Sequence, residues 1–248
     1  MDRDPRPPLR HPDRPARAHL QFPTTVWDLL GDASRHDDHS ASALNEFAER
    51  YYAAVRAFIE AVTRNPADAD DLTQRFFETV VLSGRLLAHA DSQKGRFRPY
   101  LKQAIRNYLI DEHRRQSRTV NPDVRPDAVN GGWNTIVTDS SPGPDAEMLR
   151  AWARSLVAMA VSRLETTCEA NDQKQHFQLF VHRYLVDPDN PPTWGQVGEA
   201  FGLGEKIARS RAETAARHFR ALLRQLIATD IGSEVGVDEE LQAVIAIL

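Results

Sequence analysis

Residues 94–118 read KGRFRPYLKQAIRNYLIDEHRRQSR and place Arg96, Arg98, Lys102, Arg106, Arg114, Arg115 and Arg118 in one short stretch. Phe97, Tyr100 and Asn107 are set among them. Arginine grips phosphate with two parallel hydrogen bonds. Asparagine offers a donor and an acceptor to a base edge, and aromatic rings stack on unpaired bases. These residue types together point to nucleic acid. The bland alternative is a solvated basic face above core aromatics. The whole chain carries a formal charge of -4, so the basic charge is concentrated rather than general.

Two further groups stand out. Lys206, Arg209, Ser210, Arg211, Glu213 and Arg217 lie just after Gly202-Leu203-Gly204, a turn signal between two helical patterns. A helix-turn-helix presents the start of its second helix to base edges; a plain helical hairpin with a basic outer face reads the same way. Asp68, Asp70 and Asp71 open another helical pattern, with Gln74 and Glu78 farther along its exposed face. Acids in a first turn complement the helix dipole, and Asp68 is the expected N-cap. Three acids crowded into one turn do not converge on one ion, and the nine histidines form no supporting motif, so neither a metal site nor an enzyme is expected.

The elements that must position these groups are helices. Leu44, Phe47, Tyr51, Val55, Phe58, Ile59 and Val62 step by three and four, predicting a helix over 42–62. A short amphipathic helix is expected from Thr24 or Thr25, and one entered near 97–99 would bury Leu101, Ile105, Tyr108 and Leu109. That placement lines Asn107, Asp111, Arg115 and Arg118 along another face, with Asp111 orienting a neighbouring arginine. Helices resume near Asp145, burying Leu149, Trp152, Leu156, Met159 and Leu164, and again over 172–185. Thr193 and Gln196 read as a capping box. The last long helix carries the stripe Ala208, Ala212, Ala215, Phe219, Leu222 and Leu226.

The resulting fold class is all-α, two helical domains joined by a flexible linker, the second containing the helix-turn-helix. Residues 1–20 read as a disordered tail without the apolar region of a secretory signal. Residues 21–118 form the first domain, 119–144 the Asn-, Gly- and Pro-containing linker, 145–229 the second domain, and 230–248 an acidic extension. In the extension, Leu241, Val244, Ile245 and Leu248 form an apolar strip. It reads either as a helix packed on the second domain or as an autoinhibitory or regulator-docking segment masking a basic face. The single cysteine, Cys168, excludes a disulfide framework and suits a reducing, cytoplasmic setting. No apolar run approaches membrane-spanning length, so no membrane association is expected.

Three stretches, in order, resemble the extracytoplasmic-function sigma factors of bacterial RNA polymerase. DADDLTQRFFETVV (68–81) is similar to the polymerase-binding helix of that family, 94–118 to its promoter-melting and −10-reading segment, and TWGQVGEAFGLGEKIARSRAETAARHFRALL (193–223) to its −35-reading helix-turn-helix. The resemblance covers residues 22–228, and FPTTVWDLL with the acidic extension resembles a longer branch. It implies a non-enzymatic, cofactor-free initiation factor whose partners are core RNA polymerase, through the beta-prime clamp helices and beta flap, and promoter DNA, with an anti-sigma factor or other regulator. Asp70, Asp71, Gln74 and Glu78 would meet polymerase. Arg96, Phe97, Arg98, Tyr100, Lys102, Arg106, Asn107, Arg114, Arg115 and Arg118 would engage the −10 element. Lys206, Arg209, Ser210, Arg211, Glu213 and Arg217 would engage the −35 element. Arg75, where the family usually has an acid, and Glu213 depart from the family pattern. A helix-turn-helix regulator acting without polymerase would not need the exposed acidic helix, which separates the two readings.

Overall fold

The computed structural model describes residues 26–33, 38–88, 97–120, 142–232 and 235–247. The described residues are mostly helical, with no strand among them. The proposed tail at 1–20, most of the linker, and Arg96 lie outside the described residues.

Helix α1 spans Val26–Ala33 and seats Val26 and Leu29 in the core. Helix α2, Asp38–Thr63, buries Phe47, Tyr51, Val55, Phe58, Ile59 and Val62, the stripe set by its three-four spacing. Helix α3, Pro66–Phe76, starts one residue after Asn65, whose side chain accepts from the Ala67 amide. Asn65, rather than the expected Asp68, is therefore the N-cap. Pro66 at N1 fixes the entry one turn earlier, and Asp68 instead accepts from the Asn65 side-chain amide at 2.8 Å. A π turn, Phe77–Val81, continues α3. Its extra residue per turn lets the consecutive Phe76 and Phe77 both reach the core. Gly84, at φ 73°, ends the run.

Helix α4, Arg85–Ala88, precedes α5, Phe97–Val120. The latter buries Leu101, Ile105 and Leu109, with Tyr108 half-buried. Helix α6, Pro142–Ala170, packs along α2 and buries Met148, Trp152, Leu156, Met159 and Leu164. Helix α7, Lys174–Tyr184, leads to α8, Trp194–Ala200, entered through the expected Thr193–Gln196 capping box. Helix α9, Glu205–Ile231, closes on Gly232 at φ 69°, and α10, Val237–Ile247, folds back on α9 and α6.

One apolar cluster draws residues from α1–α5 and from α6, α9 and α10. Within it lies a buried polar knot. Arg50 is 1% exposed and donates to Asp230 at 2.7 Å, and Trp152 Nε1 donates to the other oxygen of that carboxylate at 2.6 Å. Glu46 accepts from Arg50 at 3.0 Å and from Arg163 at 2.8 Å. Helices α2, α6 and α9 are thus tied at one point. Asp230, expected in an acidic extension, is instead a buried residue of α9. Burial, and then the nearby Asp230 carboxylate, push the Tyr51 phenol well above its ordinary range, so it stays neutral.

Candidate nucleic-acid interface

Asn107 and Asp111 stand one turn apart on the exposed face of α5, and Arg115 follows one turn later. With Tyr100 and Gln103 of the same helix they line a groove of about 900 Å³ between α5 and the α3–π-turn segment, with Arg75 and Glu78 on the opposite wall. Asn107 accepts from Gln103 Nε2 at 2.9 Å, which fixes its amide orientation. The Tyr100 hydroxyl donates to the Leu86 carbonyl, and burial pushes the Tyr108 phenol up to about 12. Asp70, Asp71, Gln74 and Glu78 are all exposed. Asp70 accepts from Arg56 at 2.5 Å, and Gln74 donates to Glu78 at 3.0 Å. An exposed acidic edge and the Asn107–Arg115 row are therefore carried by neighbouring helices.

Residues 47–119 match the family model of sigma-70 region 2. That region 2 segment runs from within α2 almost to the end of α5, and so takes in both the acidic edge and the groove. The match supports a sigma-factor role in polymerase binding and transcription initiation. No curated protein and no solved structure matches the chain.

Within the region 2 segment, two expectations are corrected. Phe97 offers no face to a base. It is 0% exposed, with its ring 4.9 Å from that of Trp27, 5.1 Å from Tyr51 and 5.8 Å from Phe47. Tyr100, half-buried and 5.2 Å from Trp27, does line the groove. Asp111 is also a weak organiser of arginines, since its carboxylate stands 3.9 Å from Arg114. Glu112 does that work. It accepts from Arg115 at 2.6 Å and from Arg75 at 2.8 Å, joining α5 to α3. Sequence reasoning missed Glu112 because its partner Arg75 lies 37 residues away; an acid three residues before Arg115 was the available signal. Arg75, an apparent departure from the family pattern, is what steadies Glu112 at the rim of the groove.

The Arg115 hydrogen bond first, with Arg75 adding to it against the opposing effect of burial, holds the Glu112 carboxyl below the usual carboxylate range. A depressed folded pKa contributes stability above the unfolded value, about 4.3, which is lost as pH falls through the folded pKa. Glu112→Gln should therefore lower stability by about 1 kcal/mol at pH 7, discounted because both arginines are largely exposed. The difference from the wild type should shrink below about pH 4. Urea unfolding at pH 7 and pH 3.5 measures it, and an equal loss at both would contradict this role.

Three more of the basic row, Arg98, Lys102 and Arg106, are engaged elsewhere. Arg98 lies 3.9 Å over the Trp152 ring and pairs with Glu240, while Lys102 and Arg106 reach Asp145 at 2.7 and 3.4 Å. Arg114 is exposed, and the Arg118 side chain lies outside the described residues.

Downstream of the region 2 segment, α8 and α9 meet at a short turn with Gly202 at φ 62°. A Cβ on Gly198 would stand 2.7 Å from the Leu203 carbonyl oxygen, so the close approach of α8 to this turn requires glycine. Gly204 caps α9 without a side-chain bond. Ala208, Ala212 and Ala215 are buried, which leaves Lys206, Arg209, Ser210, Glu213 and Arg217 exposed. Arg209 pairs with Glu213 at 2.7 Å, and Arg211 is half-buried and donates to Gln175. Arg211 thus holds α9 to α7 and is withdrawn from the row assigned to DNA. Among the described residues no group of His, Cys, Asp and Glu could hold a metal ion, and no helix is long and apolar enough to cross a membrane.

Proposed function

We propose that this chain is an alternative sigma factor of the extracytoplasmic-function type that binds core RNA polymerase and directs promoter-specific initiation. The observation that carries the reading is the coincidence of the region 2 match with a structured groove rimmed by Asn107 and Arg115 and flanked by an exposed acidic edge. Asp70, Asp71, Gln74 and Glu78 meet the polymerase clamp helices. Phosphate contacts from Arg114 and Arg115 fix register, and Asn107 with Tyr100 holds unstacked bases of the −10 element. Lys206, Arg209, Ser210, Glu213 and Arg217 face the −35 element. The chain works by binding, in the cytoplasm, rather than as an enzyme.

Run-off transcription with purified core polymerase, with and without the protein, on genomic promoter fragments tests the reading. Specific transcripts that depend on the protein are expected. They should be lost on Asn107→Ala or Arg114→Ala while polymerase capture persists. DNA binding without polymerase capture would support a helix-turn-helix regulator acting alone.

A further inference from the structure

Three of the basic residues assigned to promoter contact are occupied by acids from the second half of the chain. Asp145, at the start of α6, takes Lys102 and Arg106; Glu240, on α10, takes Arg98. The Arg98–Glu240 pair is not a loose surface encounter, while the Asp145 pairs are more open. Arg98 is 20% and Glu240 12% exposed, and the guanidinium lies over the Trp152 ring. The apolar side of α10 is anchored by buried Val237, Leu241 and Val244, which sets Glu240 over α5. A carboxylate accepts from guanidinium and ammonium as a phosphate oxygen does, so α10 and the start of α6 present carboxylates where a nucleic-acid backbone would present phosphates.

We propose that the free chain holds itself closed, with Asp145 and Glu240 acting as internal phosphate mimics on Arg98, Lys102 and Arg106, and that nucleic acid and this half of the chain compete for α5. The proposal rests on the DNA-facing role given to α5 above. The apparent affinity of a ligand is reduced by the fraction of molecules competent to bind it. Releasing the mimics therefore raises affinity without adding a contact. The acids that close the surface are distinct from the buried Arg50–Asp230–Trp152 knot, so they can be removed with the core intact.

The test compares the full-length protein with the double variant Asp145→Asn/Glu240→Gln. A control, Glu165→Gln/Glu199→Gln, removes two exposed acids that lie on neither α5 nor α10. Thermal unfolding first establishes that all three are folded. The probes are a fluorescein-labelled single-stranded oligonucleotide and the matching duplex, read by anisotropy. Hydrogen exchange of α10 is followed in parallel. The double variant should bind the single strand about tenfold more tightly than the wild type, and the control less than about twofold more tightly. Adding the oligonucleotide to the wild type should raise exchange across α10. Equal gains in variant and control would reduce the effect to net charge and overturn the proposal. So would unchanged exchange of α10 at saturating oligonucleotide, or no binding by any of the proteins. Displacement of α10 by DNA in a protein that fails to support transcription would uphold closure while rejecting the sigma-factor reading. Transcription without any gain in the double variant would do the reverse.

Discussion

Replacing Asp230 with alanine is expected to lower the stability of the folded chain by about 3–5 kcal/mol. Arg50 and Asp230 each keep only 1% of their side-chain surface in water. Removing the carboxylate leaves a buried guanidinium without its main counter-charge, and the Trp152 indole N–H without its acceptor. Glu46, 3.0 Å from Arg50 but 22% exposed, offsets part of the loss and argues for the lower end of the range. Urea unfolding measures the change. The paired replacement Arg50→Leu/Asp230→Leu should recover most of it, because a buried ion pair contributes little relative to apolar residues of similar volume. What stays lost is the unsatisfied indole, about 1–3 kcal/mol. A cost below about 1 kcal/mol for Asp230→Ala would mean that α2 and α9 are not joined through this pair.

The reach of the sequence can be judged on the same residues. The stripe of α2 was legible because helical spacing puts Phe47, Tyr51, Val55 and Phe58 on one face whatever they pack against. The Thr193–Gln196 box was legible because both partners lie within one turn. Arg50 was not, since nothing local distinguishes a charged residue beside an apolar stripe from a solvated one, and its partner lies 180 residues away. Asp230 suffered the same way: a run of acids downstream made it read as part of a polar extension. The orientations of Asn107 and Arg115 followed from periodicity alone. The occupation of Arg98, Lys102 and Arg106 required knowing that the carboxylates of Asp145 on α6 and Glu240 on α10 reach α5, which no spacing encodes.

The two kinds of contact between the halves of the chain differ in physical character. The Arg50 knot is dry, and breaking it leaves a buried charge. The Asp145 pairs are partly wetted, so water or phosphate can replace them at modest cost, whereas the Glu240 pair is more enclosed but lacks the full burial of the knot. A closed form that must yield to nucleic acid is better held at the DNA surface by pairs of the second kind.

Phe97→Ala is expected to cost about 3–5 kcal/mol, the range for emptying a packed aromatic site. Its ring is enclosed by Trp27, Phe47 and Tyr51, so truncation leaves a void bounded by three other rings that cannot all collapse into it. Chemical denaturation is the direct measurement, and Phe97→Leu, which retains most of the volume, should lose much less. The contrast with Tyr100 decides between core and base-stacking roles. Tyr100→Ala, at a half-buried ring on the groove, should cost less stability than Phe97→Ala and should weaken binding of single-stranded DNA. If Phe97→Ala instead left stability within about 1 kcal/mol of the wild type and abolished promoter opening, the ring would have to leave the core to work. Helix α5 would then have to rotate away from α1 and α2 during melting, a larger rearrangement than release of Asp145 and Glu240 demands.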